Sequence, residues 1–159
     1  MRKLRELIEG ATYHVTSRIN GYNQAFHEKA AQKLMFLVIK EAKKKYGFKL
    51  HNFCIMPNHI HLLITPAKNT NLSRIMQWIK TKSAKLWNRK YNSRGHLWGE
   101  RFFSRIIKDS NDFLTVSNYI EQNPVIAGLT HYPHEWRYSG AFYIWNDIEG
   151  FIDHGCQSP

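Results

Sequence analysis

His59-Ile60-His61 sets two imidazoles at i and i+2. On a strand both would project from one face, about 6.6 Å apart along it, close enough to converge on one cation. Histidine is the commonest metal ligand when neutral. Either histidine alone is equally well a half-buried structural side chain. Tyr119 and Asn123, at i and i+4 of a helical stretch, share a second face. A tyrosine hydroxyl can be a covalent nucleophile. An amide oxygen four residues on can complete a three-ligand site and leave metal positions open to a phosphate. Tyr119 alone suits ordinary packing, and Asn123 alone suits a helix end before Pro124. The four residues together, in a basic chain, point to phosphate chemistry.

The charge is unevenly spread. The 159 residues carry 23 Lys and Arg against 12 Asp and Glu. Residues 1–108 hold 22 of the basic and 5 of the acidic side chains, whereas residues 109–159 hold 1 and 7. A domain with one strongly basic stretch meets a polyanion, most commonly nucleic acid. The length suits a single domain over residues 1–159, with an aromatic, turn-rich C-terminal extension from about residue 125. No apolar run is long enough for a membrane span, and the charged N-terminus has no signal-peptide pattern. Cys54 and Cys156 form no metal or disulfide pattern, so a reduced, cytoplasmic protein with no membrane partner is expected. No phosphate-binding loop of the G-x-x-x-x-G-K-[ST] type is present.

Periodicity supplies the elements that must position these groups. Ala11–Ile19 alternates as a strand, with Tyr13, Val15 and Ser17 on one side and Thr12, His14, Thr16 and Arg18 on the other. Ala25–Tyr46 turns helical, with an apolar stripe at Ala30, Leu34, Leu37, Val38 and Ala42. Two strands follow, Phe48–Met56 and His59–Pro66, joined by the Met56-Pro57-Asn58-His59 turn. Asn71 caps a helix to about Tyr91, residues 92–99 are a loop, and Glu100–Lys108 reads as a fourth strand. A third helix starts near Ser110 or Asp112 and should stop at about Asn123, because Pro124 disfavours helical geometry in the residue before it. The order β-α-β-β-α-β predicts an α+β, ferredoxin-like fold: a four-stranded antiparallel sheet, two helices on one face, and a further helix.

CIMPNHIHLLI resembles the metal-binding motif of the HUH single-strand endonucleases, and NYIEQNPVIAGL resembles the tyrosine helix of the single-tyrosine transposases. ATYHVTSRIN and LWGERFFSRII are similar to the branch called REP-associated tyrosine transposases, and the likeness runs from about residue 11 to 145. It implies that His59 and His61 are paired metal ligands, Tyr119 the catalytic nucleophile and Asn123 the third ligand, where related enzymes often carry glutamine. It implies cleavage and rejoining of hairpin-bearing single-stranded DNA through a 5′-phosphotyrosine. Imidazole by itself suits zinc or other transition ions; the resemblance implies Mg²⁺ or Mn²⁺. It leaves open whether the chain acts as a monomer or a homodimer.

Candidate DNA contacts are His14, Arg18, Arg74, Lys82, Lys85, Arg89, Arg101 and Arg105. Trp78, Trp87, Trp98, Phe102 and Phe103 interleave with the basic residues, and one or two of them are expected to touch bases. His14-Val15-Thr16 matches half of a two-histidine phosphoesterase, but no other histidine begins an H-x-[ST], so that chemistry is excluded. An RNA-binding sheet of the RRM type lacks its aromatic strand signature here. The remaining alternative is a hairpin-binding protein of the same fold that no longer cuts.

Overall fold

Alternation along the central strands divides the molecule into two chemically different halves. The computed structural model describes residues 6–21 and 23–153. Its elements are β1 (Tyr13–Arg18), α1 (Lys29–Tyr46), β2 (Lys49–Ile55), β3 (His59–Thr65), α2 (Leu72–Lys90), β4 (Phe103–Ile106), α3 (Ser110–Ile126), a 3-10 turn (Pro133–Glu135) and α4 (Gly140–Trp145). The sheet order is β2-β3-β1-β4, with every neighbouring pair antiparallel. This is the expected ferredoxin-like arrangement. Tyr13, Val15, Ile60, Leu62 and Ile64 face α1 and α2 and form the main core with Met35, Ile39, Ile75 and Ile79. On the opposite face Cys54, Met56 and Leu63 meet Val116 and Ile120 of α3. Among the described residues no helix is long and apolar enough to cross a membrane. Cys54 is buried and free, and its burial pushes the thiol pKa up; Cys156 lies outside the described residues.

Four boundaries and faces depart from the sequence reading. In α1 the buried stripe is Ala31, Met35, Val38, Ile39 and Ala42, while Ala30 and Leu37 are exposed. Both stripes share Val38 and Ala42, and the one carrying Met35 and Ile39 packs inward. The fourth strand is only Phe103–Ile106, since Trp98 makes an isolated bridge to Ile19 and Phe102 turns into the core. Helix α3 runs through Pro124 to Ile126. A proline so near the end removes one helical bond, and the chain completes another turn with Ala127 N donating to Asn123 O at 3.0 Å. Gly128, at φ +70°, then allows Gly128 N to reach Val125 O and Leu129 N to reach Pro124 O, both at 2.9 Å.

The fourth departure is the C-terminal segment, which is structural. Ile55 N donates to Tyr138 O at 2.9 Å, Asp153 N to Leu50 O at 2.8 Å and Leu50 N to Asp153 Oδ2 at 2.8 Å. These bonds occupy the outer edge of β2, which would otherwise be a free template for strand addition. Phe151 packs its ring tilted or edge-on among Phe36, Phe53 and Tyr143, with centroids 4.6, 5.2 and 5.6 Å away. A bulge between Leu50 and Asn52 reverses the alternation of β2. Leu50 therefore faces the main core, while Asn52 faces α3.

Asn52 is fully buried, and its Nδ2 donates to Ser117 Oγ at 2.7 Å and to Glu121 Oε1 at 2.8 Å, while Oδ1 accepts from Phe53 N at 2.8 Å. Gly140 lies against it, and a Cβ there would collide with Asn52 Oδ1 and stand 2.9 Å from Cγ. Gly140→Ala is therefore expected to lower unfolding free energy by about 1–3 kcal/mol, the usual range for overpacking, measured by urea denaturation. An unchanged midpoint would show that Asn52 can move aside freely.

Candidate active site

The Met56–His59 turn closes with Met56 N donating to His59 O at 2.9 Å, and two further backbone bonds, from Ile19 N to Asn58 O and Phe26 N to Pro57 O, pin it to the sheet. From this fixed start β3 carries His59 and His61 on the face covered by α3. The antiparallel register places Arg18 beside His59, Thr16 beside His61 and His14 beside Leu63. His14, His59 and His61 are all buried.

Each imidazole has a defined partner. His59 Nδ1 lies 2.6 Å from Asn58 Oδ1, which can only accept, so the proton belongs on Nδ1 and Nε2 keeps its lone pair. His61 Nδ1 lies 3.0 Å from His14 Nε2 and 3.2 Å from Thr16 Oγ1. With the His61 proton donated on that side, its Nε2 also presents a lone pair. The two Nε2 atoms face one another at 3.0 Å. Asn123 Nδ2 donates to Tyr119 O at 2.8 Å, which leaves its side-chain oxygen free on the histidine side, where it favours the protonated forms of His59 and His61.

Two imidazole nitrogens and an amide oxygen thus converge. Adjacent ligands bound at about 2.1 Å on one octahedral ion stand about 3 Å apart, so the donor set fits a cation. Second-shell bonds that fix the ring orientation are what metal-bound histidines require. Among the described residues no group of three or more His, Cys, Asp and Glu is arranged to hold a metal. The third donor would accordingly be the amide of Asn123.

Burial holds these imidazoles neutral. His59 is lowered to about 4, by burial first and then by the Arg18 charge, against the Asn123 hydrogen bond. His61 is lowered to about 3, by burial and then by His59, His14 and Arg18, again opposed by Asn123. His14 is lowered to about 4, by burial and then by Arg105, with Asp112 opposing. Tyr119, half exposed on α3, sets its ring edge-on to His61 and His14, with centroids 5.7 and 6.1 Å away. Tyr119, Asn123, His59 and His61 therefore meet as the sequence anticipates, and His14 joins them.

The basic residues divide. Arg18 is exposed, and its charge reaches His59 and His61. Arg101 is exposed just before β4. Arg105 is engaged in a two-pronged bond to Asp112 at 2.7 and 2.8 Å, which ties the first turn of α3 to β4. Asp112 also accepts from Lys108 N at 2.9 Å, and these partners hold its carboxyl well below the usual range. Arg74, Lys82, Lys85 and Arg89 stand on α2, on the other side of the sheet from the histidines, and Lys82 pairs with Glu41 at 3.4 Å. Of the five aromatic candidates, Trp98 and Phe102 are core and Trp78 and Trp87 pack against it. Phe103 alone is largely exposed, at 61%. Asn52, Asn58, Thr16 and Asp112 were not anticipated as site residues; Thr16 carried a signal, since it shares the strand face of His14.

The lowered histidines make stability depend on pH in one direction. The unfolded chain takes up protons near the ordinary value of 6.5, whereas the folded chain refuses them until about 4. In chelator-treated protein, stability is expected to be full above pH 6.5 and to fall steadily toward pH 4. His61→Gln should flatten that slope, as read from urea midpoints at several pH values. A slope of opposite sign would show that the imidazoles are charged in the native state.

Several known proteins resemble this chain in sequence or in fold. A chain of Haemophilus influenzae whose name places it among the REP-associated tyrosine transposases is 32% identical over 111 residues, covering 63% of this chain and 62% of that protein. The REP-associated tyrosine transposase of Escherichia coli strain K12 is 24% identical over 136 residues, 85% of this chain and 79% of that one. A solved REP-associated tyrosine transposase bound to a REP hairpin superposes with a TM-score of 0.77 at 19% identity, covering 100% of this chain and 94% of that one. A Deinococcus radiodurans structure described as a transposase superposes at 0.54, with 19% identity and 77% and 97% coverage. The family model for IS200-like transposases matches residues 8–123, and the chain belongs to that family.

Proposed function

We propose that the protein cuts and rejoins hairpin-bearing single-stranded DNA, using Tyr119 as nucleophile and Mg²⁺ or Mn²⁺ held by His59, His61 and Asn123. The observation that carries this reading is the convergence of two neutral imidazole Nε2 atoms, 3.0 Å apart, beside the half-exposed Tyr119 ring. When bound, the ion polarises the scissile phosphate and neutralises charge developing on its oxygens. Tyr119 Oη forms the new bond to phosphorus as the bond to the leaving 3′ oxygen breaks. The tyrosine proton passes to solvent, the 3′ oxygen gains one, and a 5′-phosphotyrosine remains. Reversal by a 3′-hydroxyl rejoins strands with no nucleotide cofactor.

The chain's own residues do the positioning. Asn58 holds the His59 ring and Thr16 with His14 holds the His61 ring, so both lone pairs stay aimed. Arg18 and Arg101 supply positive charge at the site face. Arg74, Lys85 and Arg89, across the sheet, suit longer-range attraction of the DNA backbone, which carries no sequence information. His59, His61, Asn123 and Tyr119 come from one chain, which supports a reading in which the tyrosine is used in cis. The reading places the protein in the cytoplasm, where DNA substrates are.

Labelled hairpin-bearing single-stranded DNA, mixed with protein and Mg²⁺ or Mn²⁺ and run on a denaturing gel, tests the mechanism. The expected result is a covalent adduct, absent with chelator, with Tyr119→Phe and with His61→Ala. Asn58→Ala, which removes an outer partner, should slow adduct formation by roughly 10-fold or more. An adduct surviving Tyr119→Phe would overturn the nucleophile. Tight binding with no adduct on any substrate would favour a hairpin binder that does not cut.

A further inference from the structure

We propose that Phe103 is a base-stacking platform on the open rim of the histidine site, holding one unpaired nucleobase beside the phosphate that Tyr119 attacks. The inference rests on the single-strand reading above and identifies the group that receives the base. Strand β4 is the outer strand of the sheet, paired only with β1. Its register sets Phe103 opposite Thr16, and Thr16 opposite His61. Cross-strand partners project from the same face, so Phe103 shares the face of His14, Thr16 and His61. Two strand spacings put it about 10 Å from His61. Helix α3 covers β2 and β3 on that face through Cys54, Met56 and Leu63. Tyr119 thus lies over His14 and His61, and Phe103 stands on the same face of the sheet, two strands away from His61.

The surroundings decide what this ring can do. Phe103 is 61% exposed, so it contributes little to either core. An exposed phenyl face accepts any base by stacking, independent of sequence, which is how single strands are held next to charged backbone contacts. Arg18, beside His59 in the register, and the exposed Arg101 supply such contacts nearby. The charge around Phe103 favours a polyanion over an apolar protein partner. Trp78, Trp87, Trp98 and Phe102 cannot share the role, because they pack into or against the core behind the sheet.

A hairpin-bearing oligonucleotide with 2-aminopurine placed in turn at each unpaired position beside the stem tests the assignment. The Tyr119→Phe protein serves as non-cleaving background. One position is expected to lose fluorescence on binding. Adding Phe103→Ala should abolish that quench and weaken binding roughly 10-fold, with an unchanged thermal midpoint because the ring is exposed. Phe103→Trp should keep both signals. An abasic site at the quenched position should weaken the Phe103-bearing protein but add nothing to the Phe103→Ala loss. Affinity within twofold and an intact quench in Phe103→Ala would overturn the stacking role while leaving the adduct chemistry standing. A concentration-dependent dimer lost in Phe103→Ala, with DNA affinity unchanged, would make the ring a contact between copies and likewise overturn it. No affinity of the Phe103-bearing protein for any such oligonucleotide would overturn both readings.

Discussion

The hydrogen bonds from Asn52 to Ser117 and Glu121 join three parts of the molecule that must be in register for the site to exist. Ser117 and Glu121 bracket Tyr119 on α3, two residues to either side. Asn52 sits on β2, next to the strand that carries the histidines. Gly140 presses against its amide from the C-terminal segment. Each bond contributes about 1 kcal/mol when made, and the buried amide costs more than that if left unpaired. The arrangement therefore tolerates essentially one placement of the helix. Arg105 and Asp112 fix its first turn, and Val116 and Ile120 fix the height at which it rides over the sheet.

Beneath the helix, the difficulty is desolvation. Three imidazoles share a small buried volume with Arg18 and Arg105 close by, and none can carry a proton cheaply there. The sheet resolves this by giving the N–H of His59 and of His61 each a partner, while their Nε2 lone pairs face one another with the Asn123 oxygen close by. A neutral, electron-rich pocket suited to a cation follows from burial plus three ordinary hydrogen bonds, without a carboxylate.

Much of this was legible in the sequence, and for physical reasons. Period-two alternation in Tyr13–Arg18 and His59–Thr65 fixes which side chains share a face, and i, i+4 spacing puts Asn123 under Tyr119. Those rules are local. The unread parts depend on non-local geometry. The bulge that turns Asn52 toward α3 leaves no mark in HNFCIM, where Asn52 alternates with Phe53 like any strand residue. The basic residues of α2 read as part of the site because charge in sequence has no side of the sheet attached to it. Arg105 read as free because its partner Asp112 belongs to the next element. Pro124 read as a stop, yet a helix that needs only three more residues loses little by passing through it. The aromatic tail showed no clear period because its rings are distributed over α1 and β2 rather than over one face of its own.

The role of Gly140 also sets an order in time. Protein synthesis delivers the histidine strand first, then the tyrosine helix, and only later the segment that presses Asn52 into place. A growing chain therefore holds its ligands and its nucleophile before it holds the segment that packs against Asn52. The last contact to Asn52 becomes available late in synthesis, after the sheet and its two covering helices have been made.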